Sequence, residues 1–166
     1  MKNGDTEQVL AENRRLEDAL RRQSDLLKER VKELECLGAI ARLFDLRDAG
    51  PDETLQGVVE VVPHAWQYPE VAEARLEVDG RSYQTAGFRE TPWCQTEGIM
   101  VRDTQVGTIT VCYVDERPAR YEGPFLREER SLLHIVAQRL GGYIERSKAL
   151  DSLLSYQQDL RRMASV

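Results

Sequence analysis

The sequence contains few of the residues from which active sites and metal sites are most often built. It has three cysteines and two histidines in 166 residues, and no two cysteines have the C-x-x-C spacing of a redox or zinc motif. A glycine-rich phosphate loop, a Ser-His-Asp set and a paired-carboxylate motif are also missing. We therefore expect a protein without enzymatic activity, catalytic residues or a metal site. The sequence does not identify a cofactor.

Long apolar runs and an excess of positive charge are absent as well. No stretch approaches the roughly 18 apolar residues of a membrane-spanning helix, and the first residues lack the apolar core of a signal peptide. A net charge of -6 gives no electrostatic reason to bind nucleic acid or an anionic membrane. We expect a cytoplasmic protein with reduced thiols, because three scattered cysteines do not form a disulfide framework.

The first segment, from about Thr6 to Leu46, lacks proline and has the periodicity of a coiled coil. Gln23 and Arg30 interrupt the d positions, and Asn13 at an a position is of the type that fixes register and favours a dimer. Apolar residues beside the stripe indicate that the helix also meets a second neighbour. The predicted a positions are Asn13, Leu20, Leu27, Leu34 and Ala41, and the d positions are Val9, Leu16, Gln23, Arg30, Leu37 and Phe44.

The middle of the chain predicts a second helix and then four strands. Gly50-Pro51 ends the first helix, and "ETLQGVVEVV" has one apolar helical face before Pro63. "EARLEVDG" alternates with period two and closes at Asp79-Gly80, which predicts a hairpin with "RSYQTAGF". "TEGIMVRD" and "QVGTITVCYVDE" predict two further strands around a turn at Asp103-Thr104. This order predicts an α+β fold, with helices packed on one face of an antiparallel sheet.

A long last helix is predicted from "GPFLREERSLLHIVAQRLGGYIER", residues Gly123 to Arg146. Its apolar pattern continues past any plausible domain edge, through Leu150, Leu153 and Leu160. Gly141 and Gly142 each cost about 1 kcal/mol relative to alanine inside a helix. Close approach of another helix would explain this pair.

These segments together resemble a GAF domain of the small type found in bacterial and archaeal sensor histidine kinases. "LKERVKELECLGAIARLF" resembles the entry helix, "AWQYPEVAEARLEVDGRSYQT" the first hairpin, and "GTITVCYVDERP" with the last helix the final strand and exit helix. The resemblance covers about Leu27 to Lys148. It implies about six antiparallel strands, often a small-molecule pocket, and parallel dimers whose terminal helices form a coiled coil or bundle. It divides the chain into an N-terminal coiled-coil helix (1–26), a GAF-like sensor domain (27–148) and a C-terminal helical extension (149–166).

The resemblance implies a non-enzymatic sensory module of a two-component system, which binds a small molecule or senses redox state. Its partners would be a second copy of the chain and a histidine kinase or another regulator. We expect no kinase activity, because these residues include no ATPase domain and His134 lacks the acidic neighbour of a phosphoacceptor. The alternatives are a dimerisation scaffold without a ligand and a GAF-type methionine sulfoxide reductase. The expected dimer contacts are Asn13, Leu16, Leu20, Leu27, Leu34, Leu37 and Ile144.

Side chains in the middle of the chain are candidates for lining a pocket. Aromatic residues suit a planar or apolar ligand, and they suit the core of a small domain equally well. Cys94 is interpreted as a half-buried side chain, with a redox thiol or a cofactor attachment point as the functional alternatives. A reductase would need thiols within disulfide reach, which the cysteine spacing does not suggest. The candidate pocket residues are Trp66, Tyr68, Tyr83, Trp93, Cys94 and Tyr113.

Overall fold

The computed structural model describes residues 2–165, and over this range the chain forms an α+β fold. The order of the elements confirms the fold class and the antiparallel sheet predicted from the sequence. Two short 3-10 helices, Val62–Ala65 and Pro69–Val71, connect the second helix to the first strand. The main elements are α1 (Lys2–Phe44), α2 (Pro51–Val61), β1 (Ala72–Val78), β2 (Arg81–Gln84), β3 (Cys94–Val101), β4 (Thr104–Tyr113) and α3 (Arg127–Ala164).

Local sequence chemistry explains where the helices begin. Gly50 is the N-cap of α2 and Pro51 occupies its first turn, where the missing proline N–H costs nothing. The start of α3 lies at Arg127, a few residues later than the sequence predicted. Gly123 has a φ of 53° and Glu122 is bridged to Phe125, so this Gly-Pro segment forms a tight turn before the helix.

The sheet has the strand order β2-β1-β4-β3, and every neighbouring pair is antiparallel. Asp79 and Gly80 both have positive φ, as do Arg102 and Asp103, which matches the two tight hairpin turns predicted from the sequence. Over the described residues the sheet has four strands, fewer than the six or so that the resemblance implied. The segments 85–93 and 114–126 lie outside the named strands.

Helix α3 rests directly on the edge strand β3. A Cβ atom on Gly141 would lie 2.3 Å from the carbonyl oxygen of Met100, so only glycine allows the two backbones to approach this closely. The expectation that another helix explains the glycine pair is wrong for Gly141, because its close neighbour is a strand. Around this contact, α3 buries Leu133, Val136 and Leu140 in the core.

Helices α1 and α3 run in the same direction. The Phe44 ring near the end of α1 stacks on Tyr143 with centroids 4.6 Å apart, while Glu29 and Glu33 line a groove beside Leu126 at the start of α3. Residues 2–28 are exposed along α1, and α3 is exposed from residue 148 onward. The two helices therefore project from opposite ends of the domain, by about 40 Å and about 25 Å at 1.5 Å per residue.

Candidate functional site

Three of the predicted pocket residues pack together in the core. The rings of Tyr68 and Tyr113 meet edge to face at 5.8 Å, and Tyr113 stacks on Phe125 at 4.6 Å. The indole N–H of Trp66, a fully buried side chain, donates to Gln95 Oε1 at 3.1 Å. These three rings are in contact with protein atoms, and their polar groups bond inside the domain.

A buried carboxylate lies beneath this aromatic cluster. Glu129, in the first turn of α3, accepts from the backbone N–H of Leu126 at 2.7 Å and of Gln67 at 2.8 Å. The Tyr113 hydroxyl donates to it at 3.3 Å. Burial raises the pKa of Glu129 and also that of Tyr113. Sequence reasoning missed this residue, although a glutamate three positions after a helix N-cap is a recognisable capping signal.

Tyr83 lies apart from that cluster, on the edge strand β2. Its hydroxyl donates to Asp52 Oδ1 at 2.5 Å, and Arg81 Nη1 reaches the same oxygen at 3.0 Å. These contacts, first from Tyr83 and then from Arg81, lower the pKa of Asp52. Tyr83 lines a groove of about 410 Å³ between α2, the first hairpin and α3, near Tyr143.

The last two pocket candidates, Trp93 and Cys94, lie at the start of β3, where Cys94 is joined to Cys112 of β4 by a disulfide. The two cysteines are direct partners across the ladder, with Cα atoms 4.1 Å apart. The Tyr113 N–H donates to the Trp93 carbonyl at 2.9 Å. The cysteines therefore form a non-hydrogen-bonded pair, the type in which cross-strand side chains are closest. The expectation of reduced, unpaired thiols is wrong for these two residues.

The disulfide lies on the sheet face that points away from α3. Gln95 and Val111 point into the core, so their neighbours Cys94 and Cys112 point outward. The loop of residues 85–93 packs on this outer face, where Gly87 touches Glu73, the β1 partner of Cys112. Cys112 is 0% exposed, whereas Cys94 is half-buried.

Arg89 and Arg102, the arginines nearest Cys94 in the sequence, have other partners. Arg89 donates to the carbonyl of Val114 at 2.6 Å. Arg102 pairs with Glu145 on α3 at 2.8 Å. The third cysteine, Cys36, is a buried free thiol on the domain side of α1, and burial raises its pKa to about 12. Such a thiol stays protonated and unreactive.

A chain of polar contacts crosses from the core to the surface beside β3. Gln95 Nε2 donates to Glu122 at 3.3 Å, and Glu122 is paired with Arg130. Arg130 also pairs with Glu97, whose other oxygen lies 2.7 Å from His134 Nδ1. His134 is exposed, and so is His64. Across residues 2–165, no group of three or more histidine, cysteine or acidic side chains is arranged to hold a metal ion.

The expected dimer contacts divide between surface and core. On α1, Asn13 is exposed, Leu20 is 65% exposed and Leu27 is 66% exposed. Leu37 is half-buried against the core, and Ile144 is 4% exposed, which leaves little of its side chain for a partner. The exposed apolar residues of α1 at heptad spacing, here called the α1 seam, are Val9, Leu16, Leu20, Leu27 and Leu34.

The α1 seam lies opposite the face of α1 that joins the domain. Leu27 and the buried Cys36 are nine residues apart, which corresponds to about two and a half helical turns. One side of the helix is therefore used by the chain's own core. The other side exposes the apolar residues at heptad spacing, and Leu10, Leu26 and Val31 are exposed beside them.

Comparison with protein-family models and with curated proteins finds no match for this chain. The described residues define the class of protein by fold alone. It is an α+β domain with two long helices and a four-strand antiparallel sheet, which packs against the second of these helices, α3. In the part of the chain that is described, no helix is both long and apolar enough to span a membrane.

Proposed function

We propose that this chain is a GAF-like, non-enzymatic regulatory module, which dimerises through its terminal helices and transmits changes in the domain along them. The α1 seam is the observation that carries this proposal. Its side chains are each more than half exposed, and they recur at heptad spacing. Asn13, Gln23 and Arg30 interrupt its core positions. An exposed apolar row of this kind marks an interaction surface, and heptad spacing specifies another helix as the occupant.

A second copy of α1 is the occupant that fits the seam. Asn13 continues the row, and the pairing of two asparagines at one core position favours parallel helices in register. The charged residues of α1 flank the row and remain in solvent, since only the leucine face is removed from water. The same symmetric arrangement uses one surface on both copies, which is the usual form of a two-fold dimer.

The C-terminal part of α3 carries its own exposed apolar residues. Because α1 and α3 are parallel, a two-fold axis along α1 also directs both α3 helices away from the domain in one direction. Their pairing would complete a bundle with discrete alternative packings, which suits switching. A histidine kinase or another helical regulator would receive that change. The exposed apolar residues of α3 are Leu150, Leu153, Leu154, Tyr156, Leu160 and Met163.

The proposal assigns no small-molecule ligand to the six candidate residues. Trp66 and Tyr113 belong to the buried core, Tyr68 packs against it, and the rings of Tyr68 and Tyr113 meet edge to face, so these side chains are already in contact with protein. The location expected from the sequence is the cytoplasm. The Cys94–Cys112 disulfide favours an oxidising compartment instead.

The dimer is tested by the double substitution Leu20→Glu with Leu27→Glu, followed by size-exclusion chromatography with light scattering. We expect the wild type to be a dimer and the variant to be a monomer, because buried unpaired charges are strongly unfavourable. The matched control is Gln8→Glu with Ala11→Glu, which adds the same charge at exposed positions of the same helix outside the seam. A monomeric wild type, or a variant that stays dimeric, would contradict the proposal.

The disulfide gives one alternative a specific observation in its favour. Cys94 and Cys112 are within bonding reach, so the argument from cysteine spacing against a methionine sulfoxide reductase no longer holds. Reduction of free methionine sulfoxide by dithiothreitol, lost in Cys94→Ser and kept in Cys36→Ser, would establish that activity. The scaffold alternative predicts a dimer in which a change in the domain does not alter the packing of the terminal helices.

A further inference from the structure

We infer that the Cys94–Cys112 disulfide is a thiol–disulfide exchange site, at which an external dithiol attacks the sulfur of Cys94. The inference rests on the proposed function, because it names the stimulus to which the regulatory module responds. The disulfide joins β3, the edge strand that packs against α3, to the central strand β4. Its redox state therefore acts on the strand against which the projecting helix α3 packs.

The two cysteine residues differ in exposure, and the Cys94 sulfur lies 3.1 Å from the Thr91 carbonyl oxygen. Cys94 is half-buried at the beginning of β3, next to the half-buried Trp93. Cys112 is 0% exposed and lies behind the loop of residues 85–93. Because exchange requires a thiolate to reach the attacked sulfur, access selects Cys94. Cys112 is then the leaving sulfur.

The exchange proceeds in two balanced steps. The thiolate of the dithiol forms a bond to the Cys94 sulfur, the Cys94–Cys112 bond breaks, and Cys112 leaves as a thiolate that takes up a proton. The second thiol of the reagent then attacks the mixed disulfide, which closes the reagent into its own disulfide and releases Cys94 as a thiol. Overall the protein gains two electrons and two protons, and the dithiol loses them.

The position of β3 connects this bond to α3. As an edge strand, β3 is hydrogen-bonded to the sheet through β4 alone. It contacts α3 through the Met100 backbone at Gly141 and through two ion pairs, Glu97–Arg130 and Arg102–Glu145. Opening the disulfide removes the covalent tie at the start of this strand. The strand and the helix resting on it then gain freedom together.

The adjacent residue extends the effect into the core. Gln95 follows Cys94 directly, and it accepts from the indole of Trp66 while donating to Glu122. Glu122 is bound in turn by Arg130 of α3. A shift of β3 at the disulfide therefore reaches α3 by a second route, through side-chain hydrogen bonds.

The first test measures exchange in the folded protein. The full chain is incubated with mixtures of reduced and oxidised dithiothreitol, free thiols are trapped with iodoacetamide, and the sites are read by mass spectrometry. We expect Cys94 and Cys112 to become alkylated as a pair while circular dichroism stays native and Cys36 stays protected. We also expect amide exchange in residues 94–101 to accelerate at least about tenfold on reduction. A disulfide that opens only when denaturant unfolds the chain would overturn the inference.

The second test asks which sulfur is reached. On a Cys36→Ser background, Cys112→Ser leaves Cys94 as the single thiol, and Cys94→Ser leaves Cys112. In folded protein we expect Cys94 to react with a small aromatic disulfide more than about tenfold faster than Cys112, since Cys112 is covered. Equal rates, or faster reaction at Cys112, would contradict the assignment of Cys94 as the attacked sulfur.

Light scattering on the wild type in both redox states separates this inference from the proposed function. A dimer with an inert disulfide overturns the exchange site and leaves the dimeric module standing. A monomer whose disulfide exchanges readily overturns the dimeric module and supports the exchange site as a property of the isolated domain.

Discussion

The aromatic rings of Phe44 and Tyr143 stack almost parallel, with an angle of 7° between their planes. This contact joins the last turn of α1 to α3 just after the core-facing Leu140. It is one of the few direct links between the two long helices, since most of the core lies between α3 and the sheet. The relative position of the entering and leaving helices therefore depends on this pair.

Replacing Phe44 with alanine should lower the free energy of unfolding by about 2 kcal/mol, because a half-buried ring and its stacking partner are lost. A double-mutant cycle with Tyr143→Ala should give a coupling energy of about 1 kcal/mol. Urea denaturation at one fixed protein concentration measures both. Leu46→Ala, at an exposed position just beyond α1, is the control and should change stability by less than about 0.5 kcal/mol.

The adjacent glycines of α3 should respond in opposite ways to alanine. Gly141→Ala places a Cβ against the Met100 backbone and should cost about 2 kcal/mol or more. A Cβ on Gly142 meets only the end of the flexible Arg146 side chain, at 3.3 Å. Gly142→Ala should therefore stabilise the helix by up to about 1 kcal/mol. Thermal unfolding of the two variants side by side makes the comparison, and equal effects would contradict the helix–strand contact.

Two carboxylates near the start of α3 should titrate in a defined order. The hydrogen bond from Arg130 lowers the pKa of Glu122, whereas burial raises the pKa of Glu129. As the pH falls, Glu129 should take up its proton before Glu122. Carbon-detected NMR of the side-chain carboxyls measures this order directly, and the reverse order would show that one of the two environments is wrong.

The same shifts determine how acid affects stability. The lowered pKa of Glu122 favours folding above the unfolded value of about 4.3, and this contribution is lost as the pH falls through the folded pKa. The raised pKa of Glu129 acts in the opposite sense, since its deprotonation costs stability as the pH rises. Glu122→Gln should therefore lose less stability than wild type between about pH 5 and pH 3. Glu128→Gln, at an exposed position of α3, serves as the control.

The hydrogen bond between Trp66 and Gln95 should stabilise the folded protein. Gln95→Leu leaves a buried indole N–H without its acceptor, which should cost about 1 to 3 kcal/mol. The loss should appear in urea denaturation followed by tryptophan fluorescence. Gln84→Leu on the exposed edge strand β2 is the matched substitution and should be nearly neutral. A neutral Gln95→Leu would show that Trp66 has another acceptor.

Much of the fold could be predicted from local patterns. Gly50-Pro51 marks the start of α2, Asp79-Gly80 marks the first hairpin, and period-two alternation marks β1. These signals work because turn conformations and burial on alternate faces act on neighbouring residues. The buried face of α3 was equally visible, since its apolar residues recur at helical spacing.

The disulfide shows why the site was harder to predict. The turn at residues 102 and 103 makes β3 and β4 a hairpin, and simple pairing outward from it would place Cys94 opposite Val111. A register shift between Ile99 and Met100 moves the partner by one residue, to Cys112. Because one residue of register changes which face a side chain occupies, this bulge decided whether the thiols could meet. Gly107, the partner of Ile99, is its one local signal, and a glycine alone does not fix the register.

The aromatic candidates illustrate a different limit. Burial of Trp66 and Tyr113 depends on Gln95 and Glu129, which are far from both in sequence and satisfy their polar atoms. Composition shows that aromatic residues are concentrated in one region, but it does not show whether their rings meet each other or a ligand. The separate position of Tyr83 beside Asp52 likewise follows from how α2 packs on the hairpin.

The parallel course of α1 and α3 has a consequence for rotation. Helix α1 enters the domain at one end, and α3 leaves it at the other end in the same direction. The two helices can therefore extend along one axis with the domain between them. Each helical residue turns the chain by about 100°, so two residues added before the domain would rotate the incoming face by about 200°. Seven added residues would restore it to within about 20°. The length of helix before the domain therefore sets an angle as well as a distance.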